Sequence, residues 1–167
     1  PIGLISVAIC KFIKAKNIVI TDINDYRLNL AKQLGATKTI NTKKDSIKNC
    51  FDELNIKHGF DVGLEMSGNG QAFNEMLSSI YHGGKIVLLG LLPKSTCIDW
   101  DNIIFKGLQV RGVYGREMYE TWYKMDQLIK SGLDLSKVIT HKFSISSFDE
   151  AFKVISSGQC GKVIMEW

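Results

Sequence analysis

Proline is nearly missing from this chain, with two in 167 residues, and histidine is scarce, with three. No apolar run approaches the roughly 18 consecutive residues that a membrane-crossing helix needs. No basic, apolar, small-residue stretch opens the chain, so nothing reads as a secretory signal. The four cysteines, Cys10, Cys50, Cys97 and Cys160, are far apart with no C-x-x-C pair, which removes the zinc-ribbon and redox-motif readings. They read as buried free thiols, and the protein is expected to be cytoplasmic. Twenty-one basic residues against seventeen acidic ones leave a surplus of four. No run of them is dense enough to read as a nucleic-acid or membrane-surface patch.

What is present suits a folded domain. With 45% hydrophobic and 23% charged residues, disorder, collagen-like fibre and coiled coil are excluded. The length predicts about one domain with a sizeable core. Leu4, Ala8 and Phe12 form one stripe of a first helix. Ile18 to Ile20 then reads as a strand buried on both faces, because it does not alternate. Asp25 is the expected cap of a helix carrying Leu28, Ala31 and Leu34, closed by Gly35. Further strands are expected at Thr37 to Ile40, Phe60 to Met66, Lys85 to Leu89 and Leu108 to Tyr114. Between them, helices are marked by Ile47, Phe51 and Leu54, and by Ala72 to Ile80 with Gly83 and Gly84 as its end. A loop or short helix covers Asp99 to Lys106. Strands alternating with helices imply βαβ units, a parallel sheet and helices on both faces. Beyond them lie an aromatic-rich helix at Glu117 to Lys130, an extended Val138 to Ile145, a helix opened by a Ser147/Glu150 capping box and closed by Gly158, and a last strand at Lys162 to Trp167.

Open parallel sheets bind ligands beyond the carboxyl ends of their strands. Asp22 is expected at such an end, 19 residues after Gly3, close to the spacing of about 20 between a dinucleotide fingerprint and the acid that holds the adenosine ribose. A carboxylate there accepts hydrogen bonds from both ribose hydroxyls and repels the extra phosphate of NADP, which favours NAD. Gly3 fits the last glycine of G-x-G-x-x-G, whose missing side chain lets helix and strand pack closely. Arg27 reads as an adenine or ribose neighbour, or as a solvated helix residue. Leu89, Gly90 and Leu91, and Val113, Tyr114 and Gly115, end two more strands, where glycine lets the backbone approach a ligand.

The pieces PIGL at the start, VITDINDYRLNLAKQLGAT (19–37), GFDVGLEMSG (59–68), HGGKIVLLG (82–90), IIFKGLQVRGVYGREMYETWYKM (103–125), SGLDLS and SGQCGKVI together resemble the zinc-dependent medium-chain alcohol dehydrogenase family, in its threonine-oxidising branch. That resemblance spans nearly the whole chain. It implies a Rossmann-type doubly wound parallel sheet lacking its first strand, with residues 1–132 as the NAD-binding domain and 133–167 as a segment of the catalytic domain. Ile2 and Gly3 would meet the pyrophosphate, Asp22 the ribose and Arg27 the adenine side. Leu89, Gly90, Leu91, Val113 and Tyr114 would border the nicotinamide half. The implied reaction oxidises the β-hydroxyl of L-threonine by hydride transfer to NAD, giving 2-amino-3-oxobutanoate, in a homotetramer with a catalytic zinc.

The zinc ligands and proton-relay residues of that family would lie upstream of Pro1, so no catalytic or metal-binding residue is assigned within this chain. His58, His82 and His141 lack the spacing that puts two on one helix face. In the strand order 3-2-1-4-5-6 the absent strand is the central one, leaving Asn17 to Thr21 and Phe60 to Met66 without a shared neighbour. The isolated chain is therefore expected to be inactive and poorly stable or prone to associate. Three other readings stay open: the cofactor domain of a polyol or other zinc alcohol dehydrogenase, an NAD-binding module without chemistry, and a purely structural role in assembly.

Overall fold

The computed structural model describes residues 1–167, and their contacts divide them into two units. Pro1–Ser46 with Trp122–Trp167 make the first unit and Ile47–Thr121 the second.

In the first unit, helix α1 (Ile2–Phe12) buries Leu4, Val7 and Ala8. Strand β1 (Val19–Asp22), helix α2 (Asp25–Gln33) and strand β2 (Lys38–Asn41) form one parallel βαβ turn, in register from Val19 beside Lys38 to Asp22 beside Asn41. Asn24, not the expected Asp25, caps α2: its side-chain oxygen accepts from the Arg27 N–H at 3.3 Å. β1 is half-buried along its length, with full burial only at Ile18 just before it. Helix α6 (Glu120–Lys130), which belongs to this unit from Trp122 onward, is shorter than its sequence pattern and begins after Tyr119, which adopts a positive φ. A second parallel βαβ turn follows in strand β6 (Ile139–Ser144), helix α7 (Phe148–Ser157) and strand β7 (Lys162–Glu166). Gly158 ends α7 at φ 72°, a left-handed position that favours glycine. Ser147 is the N-cap of α7 but its side chain makes no cap hydrogen bond, so the expected capping box is not formed.

The core of this unit joins Leu4, Val7, Ala8, Ile18, Leu30, Ala31 and Leu34 to Leu133 and Val138 from the C-terminal segment. Each such buried Leu, Ile or Val contributes about 1.5–3 kcal/mol. The segment is also held by polar contact, since the Asn24 amide donates to the Gly158 carbonyl at 3.0 Å. α7 turns Ala151 inward and leaves Phe148, Phe152 and Ile155 exposed along one stripe.

In the second unit, the expected helix at 47–54 is a single 3-10 turn and a single α turn, α3 (Cys50–Glu53). Asn55, left-handed at φ 53°, stops it. Then come β3 (Phe60–Glu65), α4 (Gly70–Ser79), β4 (Ile80–Leu88), α5 (Trp100–Phe105) and β5 (Gln109–Gly112), with strand order β3-β4-β5, all parallel. Gly83 and Gly84 do not end α4. They lie inside β4, which starts directly after the helix, and the pairing shifts register between Phe60 and Val62. Phe73, Leu77, Ile80 and Ile86 form the core, with Ile103 and Leu108 packed against it. The opposite face is not covered as expected: Val62 is 53% and Leu64 40% exposed. β1 and β3 each keep one unpaired edge.

With no loop after α4, its last carbonyls need a donor, and Lys106 supplies it. The Lys106 ammonium donates to the carbonyls of Leu77 (2.8 Å), Ser78 (3.0 Å) and Ile80 (3.1 Å). Burial, and then the charge of Lys48, hold this ammonium below the usual lysine range. Lys106→Met keeps the stem and removes three charge-assisted bonds at a helix C-terminus. It is expected to lower stability by about 1–3 kcal/mol, read as a lower urea midpoint with unchanged slope.

Candidate functional site

Parallel pairing gathers the carboxyl ends of the strands at one end of each of the three sheets, and the sequence-predicted residues divide between the two units. Ile2, Gly3, Asp22 and Arg27 all belong to the first unit. The second carries Leu89, Gly90, Leu91, Val113 and Tyr114.

Asp22 is the last residue of β1. Its Oδ1 accepts the backbone N–H of Ile23 at 2.7 Å and of Asn24 at 3.0 Å. These bonds fix the carboxylate, and no hydrogen bond or ion pair engages Oδ2. An anchored carboxylate with one open oxygen suits an acceptor for hydroxyl groups. Beside it Ile23, Asn24, Arg27, Lys43 and Gln159 among others line a shallow, open depression. Arg27 buries its Nε without a hydrogen-bond partner, a donor that protein groups leave unused. Gly3 faces the Ile20 side chain. A Cβ added there would stand 3.6 Å from it, an ordinary contact, so close packing of α1 on β1 does not by itself demand glycine.

Asn24 and Asp25 shape the same crest. Asn24 combines three bonds, with its N–H on Asp22, its carbonyl oxygen capping α2 and its amide on Gly158. Asp25 accepts from Lys44 Nζ at 2.6 Å and from Asn41 Nδ2 at 2.7 Å. The Lys44 bond, and then the Asn41 bond, hold its carboxyl below the usual aspartate value of 3.8.

The crest of the second unit is built around Glu65, the last residue of β3, which is only 4% exposed. Its Oε1 accepts from the Ser67 N–H (2.8 Å), the Ser67 hydroxyl (2.5 Å) and the Gly68 N–H (3.0 Å). Its backbone carbonyl accepts the N–H groups of Leu89 (2.9 Å) and Gly90 (3.1 Å). A Cβ on Gly90 would overlap Glu65 Oε2 and the Gly68 nitrogen, so here glycine is a steric necessity. Leu91 is 91% exposed and Tyr114 fully so. Val113 extends the ladder by donating to the Leu88 carbonyl at 2.8 Å, while β5 itself ends at Gly112, short of the expected Tyr114. Sequence reasoning passed over Glu65 and Asn24. A charge closing a strand and followed by Met-Ser-Gly was the available signal for Glu65, and an Asn three residues before Arg27 the signal for Asn24.

No group of three or more His, Cys, Asp or Glu side chains stands close enough to hold a metal ion. The histidines are dispersed, and His141 pairs its Nδ1 with the Thr140 hydroxyl at 2.9 Å. These residues do not fit a zinc centre. No helix is long and apolar enough to cross a membrane.

A layered parallel fold with polar groups at its strand ends is the setting of a nucleotide-binding dehydrogenase domain, and comparison with known proteins agrees. Residues 1–131 match the model of the zinc-binding dehydrogenase family, and the chain belongs to that family. It is 56% identical, over all 167 residues, to the L-threonine 3-dehydrogenases of Chromobacterium violaceum and Xanthomonas campestris pv. campestris. It covers 49% of each, so it spans about half the length of the curated relatives it matches. Among solved structures, a short chain alcohol dehydrogenase of Escherichia coli complexed with NADH superposes with a TM-score of 0.87 at 25% identity, over all of this chain and 50% of that one. The 2R,3R-butanediol dehydrogenase of Bacillus subtilis shares the fold with a TM-score of 0.87 at 22% identity, over all of this chain and 48% of that one.

The lowered Asp25 value carries a sign. A carboxyl that ionises more easily when folded stabilises the fold above its ordinary value of 3.8, and that contribution is lost as pH falls through the lowered one. A carboxyl-detected NMR titration is expected to place the Asp25 midpoint below 3.8 and to move it upward in Lys44→Ala.

Proposed function

We propose that this chain is the NAD-binding portion of an L-threonine 3-dehydrogenase, residues 1–132 forming the cofactor domain and 133–167 a segment of the catalytic domain. The observation that carries the cofactor reading is Asp22, anchored through Oδ1 at the end of β1 with Oδ2 open. In this role its carboxylate accepts both hydroxyls of the adenosine ribose and repels a 2′-phosphate, selecting NAD over NADP. The buried, unpaired Arg27 Nε and the depression beside it support an adenosine-side role for Arg27. Ile2 and Gly3, at the first turn of α1, serve the pyrophosphate, where helix N–H groups favour an anion. Leu89, Gly90, Leu91, Val113 and Tyr114 serve the nicotinamide half.

Identity of 56% to proteins named L-threonine 3-dehydrogenase supports the substrate, the β-hydroxyl of L-threonine, oxidised to 2-amino-3-oxobutanoate as NAD accepts the hydride. Zinc, which the family name carries, supplies Lewis-acid polarisation of an alkoxide when bound. Its ligands are assigned to the half of the protein that this chain does not span. The exposed Phe148, Phe152 and Ile155 stripe of α7 supports placing 133–167 with that half. A cytoplasmic homotetramer completes the reading.

Calorimetric titration of the full-length protein with NAD and NADP tests the assignment of Asp22. NAD is expected to bind more tightly, and Asp22→Ala to weaken it by about tenfold or more while removing the preference. Equal affinity of the unmodified protein for both cofactors overturns the assignment.

A further inference from the structure

Glu65 is a buried carboxylate whose side-chain bonds come from neutral groups of its own turn, an arrangement that is costly unless every acceptor position is used. Its two ends grip different segments. The side chain holds Ser67 and Gly68, the turn that leads into α4, and the backbone carbonyl holds Leu89 and Gly90, the end of β4. The two segments also meet directly. Gly68 sits at φ 68°, and a Cβ there would come within 2.8 Å of the Leu91 carbonyl oxygen. Gly90 leaves no room for a Cβ against Glu65 Oε2 and the Gly68 nitrogen. The buried Glu65 side chain thus holds the turn against which the backbone of residues 89–91 packs, although it touches no open surface itself.

We propose that Glu65 is a positioning residue for the nicotinamide half of the cofactor, acting through the Ser67–Gly68 turn to set the Leu89–Gly90–Leu91 backbone. This rests on the cofactor reading above and adds to it a residue that contacts no ligand. Replacing the carboxylate by an amide of the same size keeps one acceptor oxygen and turns an N–H₂ group toward the Gly68 N–H, which lies 3.2 Å from Oε2. Donor then faces donor, and the turn is pushed off the end of β4.

The test compares NADH with ADP-ribose, which lacks the nicotinamide ring, by fluorescence and calorimetric titration of the full-length protein and its Glu65→Gln variant. Glu65→Gln is expected to weaken NADH binding about tenfold and leave ADP-ribose within about twofold. Parallel losses for both ligands, or no loss for NADH, overturn the positioning role while leaving the cofactor reading intact. An unmodified protein that binds neither ligand overturns the cofactor reading and this role with it. Should Glu65→Gln fail to fold, Ser67→Ala removes only the hydroxyl donor and reads the same ratio: a selective NADH loss supports the role, and none overturns it.

Discussion

Parallel strand pairing is the constraint on which the rest of this molecule depends. Strands that run the same way need a crossover between them, and each crossover here is a segment containing a helix whose apolar side can be buried. The same direction lines up the strand ends, so that Asp22 stands beside Asn41 in one sheet and Glu65 beside Leu88 in another. Backbone N–H groups at those ends have left the ladder and are available to side chains. Asp22 and Glu65 both take them, so two carboxylates settle there on backbone N–H groups, with no ion pair to either.

The polar groups of the fold differ widely in what they contribute. Exposed pairs such as Lys130 with Asp126 and Lys142 with Glu166 sit in water and are worth about 1 kcal/mol or less each. Glu65 and Lys106 are different in kind, because each satisfies several main-chain groups at once. Lys106 closes the end of α4 from 26 to 29 residues away in the chain, and Glu65 ties a turn to a neighbouring strand. Asn24 has the same character on a smaller scale, as it joins a cap, a carboxylate and a distant loop.

The order of strands and helices was legible because unbroken apolar runs such as Ile18 to Ile20 and Ile86 to Leu88 leave few alternatives. The position of Asp22 at a strand end followed from the same runs. What escaped was chemistry that depends on neighbours far along the chain. Two good capping residues adjoin at Asn24 and Asp25, and only the path of the Gly158 turn and of Lys44 assigns one to the helix and the other to an ion pair. Gly83 and Gly84 have the form of a helix stop, yet the stop at Ser79 comes from the donor on Lys106. Helix α6 shows the limit of periodicity. Trp122, Tyr123 and Ile129 form an apolar side that remains 46%, 63% and 47% exposed, while Leu128 alone packs on the core. A pattern identifies a side, and the pattern does not say what covers it. Glu65 was passed over for a related reason, since its importance lies in the space that Gly90 leaves empty.

The uncovered side of the three-stranded sheet, where Val62 and Leu64 stand open, has a practical consequence. Environment-sensitive dyes such as ANS brighten on accessible apolar surface, and their signal is commonly taken as a mark of loosened packing. This chain offers such surface with its two cores intact. Bright dye fluorescence from this chain does not by itself mark loosened packing, and loss of near-ultraviolet circular dichroism is the sounder sign that side-chain order has melted.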